Sequence, residues 1–205
     1  MQLTTAQTDA LTELINIGYA RAAGALSELT GHRITLQVPQ VAIHPIEAVG
    51  EFIDLSVSGE VASVHQVFSG PVSGNALLLL DQEAAMLLTR LLTNDPNSRH
   101  LDASAREVLT EVGNIVLNAC LGVFGNLLQV HVSFAVPRLH VESITRVLNS
   151  ITVADEELRY ALTVKTKFSL RDSDVSGYLV IILGVTSLDR LLIEVEQWEQ
   201  RQLET

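Results

Sequence analysis

Cysteine is almost absent from this chain, because Cys120 is the only one among its 205 residues. A single cysteine excludes an internal disulfide and a cysteine-based zinc site, and the helical pattern around Cys120 indicates a core thiol. Aromatic residues make up only 4% of the chain, so aliphatic side chains must fill the core that the 47% hydrophobic content predicts. The six histidines show none of the spacings that are typical of a metal site.

Basic residues are few as well: 13 Lys and Arg stand against 24 Asp and Glu, for a net charge of −11. Without a Lys/Arg cluster to contact phosphates, nucleic-acid binding is disfavoured, whereas a partner with a basic docking face would suit an acidic surface. The longest apolar stretch, residues 178–185, is far shorter than a bilayer span, and the N-terminus has no signal-peptide pattern. We therefore expect a cytoplasmic protein without membrane insertion.

The feature that stands out is a polar motif that occurs twice. The equivalent residues are separated by a constant 98 positions, and they are Asp9 and Glu107, Glu13 and Glu111, Asn16 and Asn114, and Pro39 and Pro137. In both copies a glutamate precedes an asparagine by three residues, which places the two side chains one turn apart on one face of an α-helix.

Hydrophobic periodicity and turn residues predict the elements around the motif. We expect helices over 5–29, 81–92, 103–128 and 187–201, with Thr5 as the first N-cap, Asp81 as a later one, and Gly31 as the end of the first helix. At Gly18 the pattern allows either a bend or a close packing contact. Strands are expected over 33–38 and 130–136, ending at the two prolines, over several short runs between 41 and 80, and over 159–168 and 178–183. The turn-rich segment 94–98 is the expected hinge.

This order predicts an α+β fold in which one domain is built from two repeated halves, about 1–98 and 99–205. Two copies of this kind pack about a pseudo-two-fold axis, and short sequential strands favour a mostly antiparallel sheet with helices on one side. The motif helices would rest their apolar faces on this sheet and present their Glu/Asn pairs outward.

A Glu/Asn pair on a helix is most simply interpreted as a solvated surface, and a single copy would favour that interpretation. The retention of the same pair, spacing and proline in both copies favours a function instead. An asparagine amide can donate to one oxygen while it accepts from a water, which suits the positioning of a water for phosphoryl transfer. An ionised glutamate suits the binding of a cationic group on a partner.

The pattern Asp9-x3-Glu13-x2-Asn16-x22-Pro39, repeated as Glu111-x2-Asn114-x22-Pro137, resembles the signature of the CheC/CheX/FliY phosphatases of chemotaxis, and the CheC type in particular. The resemblance implies an enzyme that hydrolyses the phospho-aspartate of the response regulator CheY. It implies that Asn16 and Asn114 orient the attacking water.

The resemblance also implies that Glu13 and Glu111 pair with the active-site lysine of the regulator. It implies no cofactor of the chain's own, since the Mg²⁺ belongs to the regulator. The first motif position, usually Asp or Ser, is Asp9 in one copy and Glu107 in the other, so we expect the first site to dock more favourably. We interpret Pro39 and Pro137 as structural residues that end or edge a strand.

Two alternatives stay open at this stage. Proteins of the CheC type also bind the receptor deamidase CheD, so the chain could act as an adaptor that regulates CheD. A component of the flagellar switch is a third interpretation, which we disfavour because no additional domain follows Thr205 in the sequence.

Overall fold

The computed structural model describes residues 3–53, 60–93, 100–127, 129–154, 158–170 and 173–203. The helices are α1 (Thr5–Thr30), α2 (Val49–Phe52), α3 (Gln82–Thr93), α4 (Ala103–Leu127), α5 (Ile144–Ala154) and α6 (Val185–Leu203). The strands are β1 (Ile34–Pro45), β2 (Val61–Ser69), β3 (Gly74–Asp81), β4 (Ser133–Phe134), β5 (Arg138–Glu142), β6 (Leu158–Leu170) and β7 (Ser173–Gly184). The predicted hinge at 94–98 lies outside the described residues, and the division into two repeated halves stays a prediction.

The strands form one seven-stranded sheet in the order β1-β6-β7-β3-β2-β4, with β5 also paired to β2. Every pair in this sheet is antiparallel. This arrangement confirms the predicted α+β class with a mostly antiparallel sheet. Among the described strands β1 pairs with β6 alone, so it forms an outer edge of the sheet.

Both faces of the sheet are covered, so the expectation of helices on one side is wrong. The larger core lies between the sheet and α1, α3, α4 and α6. A smaller core on the opposite face contains Ile46, Val49 and Val147 from a 3₁₀ turn, α2 and α5. We expected short strands between 41 and 80, but α2 is a single helical turn that tertiary packing holds in place. No element was predicted for α5, although its apolar residues recur at helical spacing.

Helix α1 carries the first motif, and its ends are set by local chemistry. Its N-cap is Thr4 rather than the expected Thr5, because the Thr4 hydroxyl accepts from the Gln7 amide while the Gln7 side chain accepts from the Thr4 amide. Gly31 ends the helix in the left-handed conformation, as predicted, with φ 66°. The helix is continuous through Gly18, so the close-contact alternative is the correct one.

The remaining helix predictions agree with the structure at most of their ends. Asp81 caps α3 by accepting from the Ala84 amide at 2.6 Å, as expected. Helix α6 begins at Val185, two residues before the predicted start. Helix α4 has the length and mean hydropathy of a membrane span over Ala103–Asn126, but 56% of its 18-residue apolar window is buried inside the fold, which is the pattern of a core helix.

Helices α1 and α4 lie antiparallel against each other on the larger core. Gly18, in the middle of α1, contacts Cys120 of α4, whereas Leu26 and Leu29 near the end of α1 lie beside Val108 and Val112 near the start of α4. Later residues of one helix therefore meet earlier residues of the other. Gly113 brings α4 down onto β2, where an added Cβ would lie 2.4 Å from the Val64 side chain.

The two prolines do not end long strands as predicted. Strand β1 runs through Pro39 to Pro45, with a register shift between Gln37 and Gln40 in its pairing with β6. A bulge on an edge strand can hold a residue without an amide donor, so the chain need not stop there. In the second motif only β4 forms before Pro137, and β5 begins directly after it.

Candidate functional site

The first motif forms an exposed row on α1. Asp9, Glu13 and Asn16 are all exposed, while Leu14 and Ile15 between them are fully buried. The apolar residues turn the polar row away from the sheet, as the helical spacing predicts. Neither Glu13 nor Asn16 forms a side-chain hydrogen bond or ion pair with any residue that the structure describes, so both are available to a partner.

The second motif forms a similar row on α4, with one difference in exposure. Glu107 and Glu111 are exposed, whereas Asn114 is half-buried. Val112 and Val116 are buried beneath them and hold this face of the helix outward. Among the described residues, Glu111 has no hydrogen-bond or ion-pair partner, which leaves its carboxylate free to accept from a cation.

A groove of about 520 Å³ runs beside the second motif. Glu107 and Glu111 line one side, and Pro137 begins the opposite side, which continues into β5 through Arg138 and His140. Three of the four residues of the second motif therefore lie in one groove although Pro137 is far from them in sequence. For the first motif, β1 carries Pro39 along the sheet edge.

The two motifs lie apart from each other, so they do not combine into one composite site. Glu107 and Glu111 lie beside Leu26 and Leu29, near the C-terminal end of α1, whereas Glu13 lies in its N-terminal half. At a rise of 1.5 Å per residue, Glu13 and Leu26 are about 20 Å apart along the axis of α1. Each Glu/Asn pair would have to bind its own target.

The two asparagines differ in what holds them. The Asn114 Oδ1 accepts from the Asn118 side-chain amide at 2.6 Å, and the Asn118 Oδ1 accepts from the Gln66 side-chain amide at 3.1 Å. Gln66 also donates to the Ala135 carbonyl at 2.9 Å, two residues before Pro137. Asn16 has no such support, because the residue one turn later is Ala20.

The thiol beneath the sites is not part of their chemistry. Cys120 is fully buried against Gly18, and burial raises the pKa of its thiol far above the ordinary value. A buried neutral thiol is a poor nucleophile, which agrees with the prediction of a core residue. Nearby, the Tyr19 hydroxyl hydrogen-bonds the Thr166 hydroxyl in the core, and burial raises the pKa of this phenol as well.

The histidines show no arrangement for metal binding among the described residues, where no group of three or more His, Cys, Asp or Glu side chains could hold an ion. The His65 Nε2 forms a hydrogen bond with the Asn75 Oδ1 at 2.7 Å, and burial lowers the pKa of the His65 imidazole. His140 borders the groove of the second site.

Sequence reasoning missed the support of Asn114. Asn118 follows Asn114 by four residues, a spacing at which two amide side chains on a helix can form a hydrogen bond. The hydrogen bond between Asn118 and Asn114 could therefore have been predicted from the sequence. Gln66 could not, because its approach depends on the packing of α4 over β2.

No protein-family model matches the sequence. The chain is 21% identical over 197 residues to the CheY-P phosphatase CheC of Bacillus subtilis, which covers 91% of this chain and 92% of that protein. It is 23% identical over 176 residues to the flagellar motor switch phosphatase FliY of the same organism, covering 82% of this chain but only 43% of FliY.

The fold is similar to that of Thermotoga maritima FliY, with a TM-score of 0.76 at 18% identity over 98% of this chain and 99% of that one. These similarities in sequence and fold support a CheC-type relationship for the chain. The near end-to-end match with CheC, together with this fold, supports the family-level function that the repeated motif predicted.

Structural neighbours of the chain also include a CheX–CheY complex and a FliM middle domain. A chain in the crystal structure of the CheX–CheY–BeF₃–Mg²⁺ complex from Borrelia burgdorferi has a TM-score of 0.50 at 16% identity, over 81% of this chain and 96% of that one. The FliM middle domain of H. pylori has a TM-score of 0.66 at 14% identity, over 94% and 99%. Identities this low show a shared fold only, so the activity has to be argued from the site.

Proposed function

We propose that this CheC-type protein hydrolyses the phospho-aspartate of a CheY response regulator. Water attacks the phosphorus, the bond to the aspartyl oxygen breaks, and the products are inorganic phosphate and the free aspartate side chain. The reaction needs positioning of the water more than proton removal, because little covalent assistance is required in a loose phosphoryl-transfer transition state. The proposal includes a cytoplasmic location, as expected from the sequence.

The observation that carries the proposal is the outward presentation of both Glu/Asn pairs from helices whose opposite faces are buried. Surface residues with only a solvation role need no such shared geometry. Glu13 and Glu111 lack partners among the described residues, so each can accept from a lysine of a docking regulator. Asn16 and Asn114 lie one turn further along, within reach of the same bound group.

The roles follow from what each side chain can donate and accept. The amide of Asn16 or Asn114 would hold a water or a phosphoryl oxygen, and the neighbouring glutamate would fix the regulator in place. The Mg²⁺ would be the regulator's own. Glu107 and Pro137, which line the groove of the second site, would shape the surface on which the regulator docks.

The experiment measures phosphate release from a phosphorylated CheY-type regulator with the wild-type chain, Asn16→Ala, Asn114→Ala and the double variant. We expect each single variant to retain the contribution of the other site and the double variant to lose the acceleration. Asn149→Ala is the matched control, because Asn149 is an exposed asparagine on α5, across the sheet from both motifs. A double variant as fast as the wild type would contradict the mechanism.

An adaptor for the deamidase CheD is the second candidate, and an apolar groove of about 410 Å³ between α1 and α4 favours a protein-binding role. Leu29 in this groove is 62% exposed, beside the carboxylates of Glu107 and Glu111. A stable complex with CheD, measured by size-exclusion chromatography, combined with no effect on the regulator would support the adaptor. Acceleration without complex formation would support the phosphatase.

A further inference from the structure

We infer that Asn118, held by Gln66, is a positioning residue that makes the second site preorganised and leaves the first one adaptable. This inference rests on the proposed function for its catalytic consequence. The arrangement itself can be tested in the free protein. Both Asn118 and Gln66 lie outside the Glu/Asn motif.

The direction of the hydrogen bonds decides how Asn114 is oriented. The Gln66 nitrogen donates to both the Ala135 carbonyl and the Asn118 Oδ1, which uses both of its protons. The Asn118 oxygen is thereby an acceptor, so its nitrogen is the donor toward the Asn114 Oδ1. Asn114 therefore directs its own NH₂ group away from this chain of bonds as a donor.

The starting point of the chain of bonds is rigid. Gln66 is only 2% exposed on the central part of β2, and its second acceptor, Ala135, is itself held by a bond from its amide to the Val67 carbonyl. The side-chain oxygen of Gln66 is buried without a hydrogen-bond partner among the described residues. An orientation that leaves a buried oxygen unpaired costs free energy, and donation by Gln66 to both Ala135 and Asn118 compensates for it.

The first site lacks every part of this support. Ala20 occupies the position one turn after Asn16 and has no polar group. The polar contacts between α1 and the sheet join Tyr19 to Thr166 in the core and Ser27 to the Ile34 backbone, and neither involves Asn16. Asn16 is free to rotate and must lose that freedom when it binds, whereas Asn114 has already lost it.

The consequence for catalysis is a preference of the second site for a partner group that accepts a hydrogen bond from the Asn114 NH₂. A phosphoryl oxygen is such an acceptor. The Asn114 oxygen keeps one lone pair for a water after it has accepted from Asn118. The preorganised amide would thus lower the cost of orientation in the transition state, an effect expected in kcat more than in KM.

The kinetic test uses the two single-site backgrounds. In Asn16→Ala, which leaves only the second site, Asn118→Ala should lower kcat about three- to tenfold, the range of one net hydrogen bond, with little change in KM. In Asn114→Ala, which leaves only the first site, Asn118→Ala should leave the rate unchanged. Asn118→Asp has nearly the same shape but cannot donate, so it should reverse the Asn114 amide and also lower kcat.

Outcomes separate the inference from the proposed function. Equal losses in both backgrounds would show a general effect on folding and overturn the inference. Full activity of Asn118→Ala and Asn118→Asp in the Asn16→Ala background would also overturn the inference. An inactive Asn16→Ala chain would overturn it too. In both cases the phosphatase proposal would still be supported if the wild-type chain accelerates phosphate release. No acceleration by the wild type would overturn the proposed function alone.

If the wild type shows no acceleration, the orientation of Asn114 by Asn118 can still be tested by a measurement without substrate. Nitrogen-15 relaxation of the side-chain amides in the free protein should show Asn114 more rigid than Asn16, and Asn118→Ala should raise the mobility of Asn114 to that of Asn16. Equal mobility of the two amides in the wild type would overturn the inference whether or not the protein is an enzyme.

Discussion

At the scale of a residue, the contact between α1 and α4 depends on the missing side chain of Gly18. A Cβ at this position would lie 2.8 Å from the Cys120 Cα, closer than carbon atoms tolerate, and backbone cannot move aside as a flexible side chain can. Since Gly18 follows Asn16 by two residues, this contact also sets the height of the first site above the core.

We predict that Gly18→Ala lowers the free energy of unfolding by about 1–3 kcal/mol, the usual cost of overpacking, despite a gain of about 1 kcal/mol in helix propensity. Gly24→Ala is the matched control on the same helix, because no atom of another described element lies within 4 Å of an added Cβ there. That variant should be more stable than the wild type. Denaturant unfolding measures both, and the same sign for the two changes would contradict the packing argument.

Residue-level predictions from the sequence were accurate where the signal was local. The exposure of Glu13, Asn16 and Glu111 follows from helical spacing, and so does the burial of Cys120. The bond network of Asn114 was beyond reach, because Gln66 lies in a strand whose position over α4 is set by the whole fold.

At the scale of an element, α1 depends on its first turn. Thr4 and Gln7 satisfy each other's backbone amides, which would otherwise lack partners at the start of the helix. The sequence Thr4-Thr5-Ala6-Gln7 contains this capping box, but the neighbouring Thr5 looks equally suitable when only one position is considered.

We predict that Thr4→Ala lowers the free energy of unfolding by about 1 kcal/mol, a typical cost for the loss of an N-cap. Thr5→Ala removes the same atoms one residue later, where the hydroxyl forms no capping bond, and should change stability by a few tenths of that value. Thermal or denaturant unfolding compares the two. A larger loss of stability for Thr5→Ala than for Thr4→Ala would show that Thr5 is the N-cap, as expected from the sequence.

Long elements with clear periodicity were predicted well, and short ones were not. Helix α4 and strand β6 follow from patterns that extend over many residues, whereas β7 begins at Ser173, five residues before the predicted start. The single turn of α2 and the bulge at Pro39 do not, since each is stabilised by the neighbouring elements rather than by its own sequence.

At the scale of the whole molecule, the lone thiol reports on the integrity of the fold. Cys120 lies where α1, α4 and the larger core meet, so a reagent reaches it only when these layers separate. Burial also raises the pKa of the thiol, which suppresses the reactive thiolate in the native state.

We predict that a thiol reagent modifies the native protein roughly 10³-fold or more slowly than the denatured chain, as expected when reaction requires opening of a fold of ordinary stability. The rate should rise with denaturant in parallel with unfolding measured by circular dichroism. Rapid modification under native conditions would place Cys120 in a locally mobile region instead.

The edge position of β1 has a consequence for synthesis of the chain. Its partners on β6 follow much later, since Ile34 pairs with Leu170 and Pro45 with Tyr160. At the usual speed of a ribosome, roughly ten seconds pass between the emergence of the two strands. Through that interval β1 offers unpaired amides and carbonyls beside apolar side chains, a surface that invites wrong partners. The strand order thus leaves β1 exposed to misfolding and aggregation until β6 has been made.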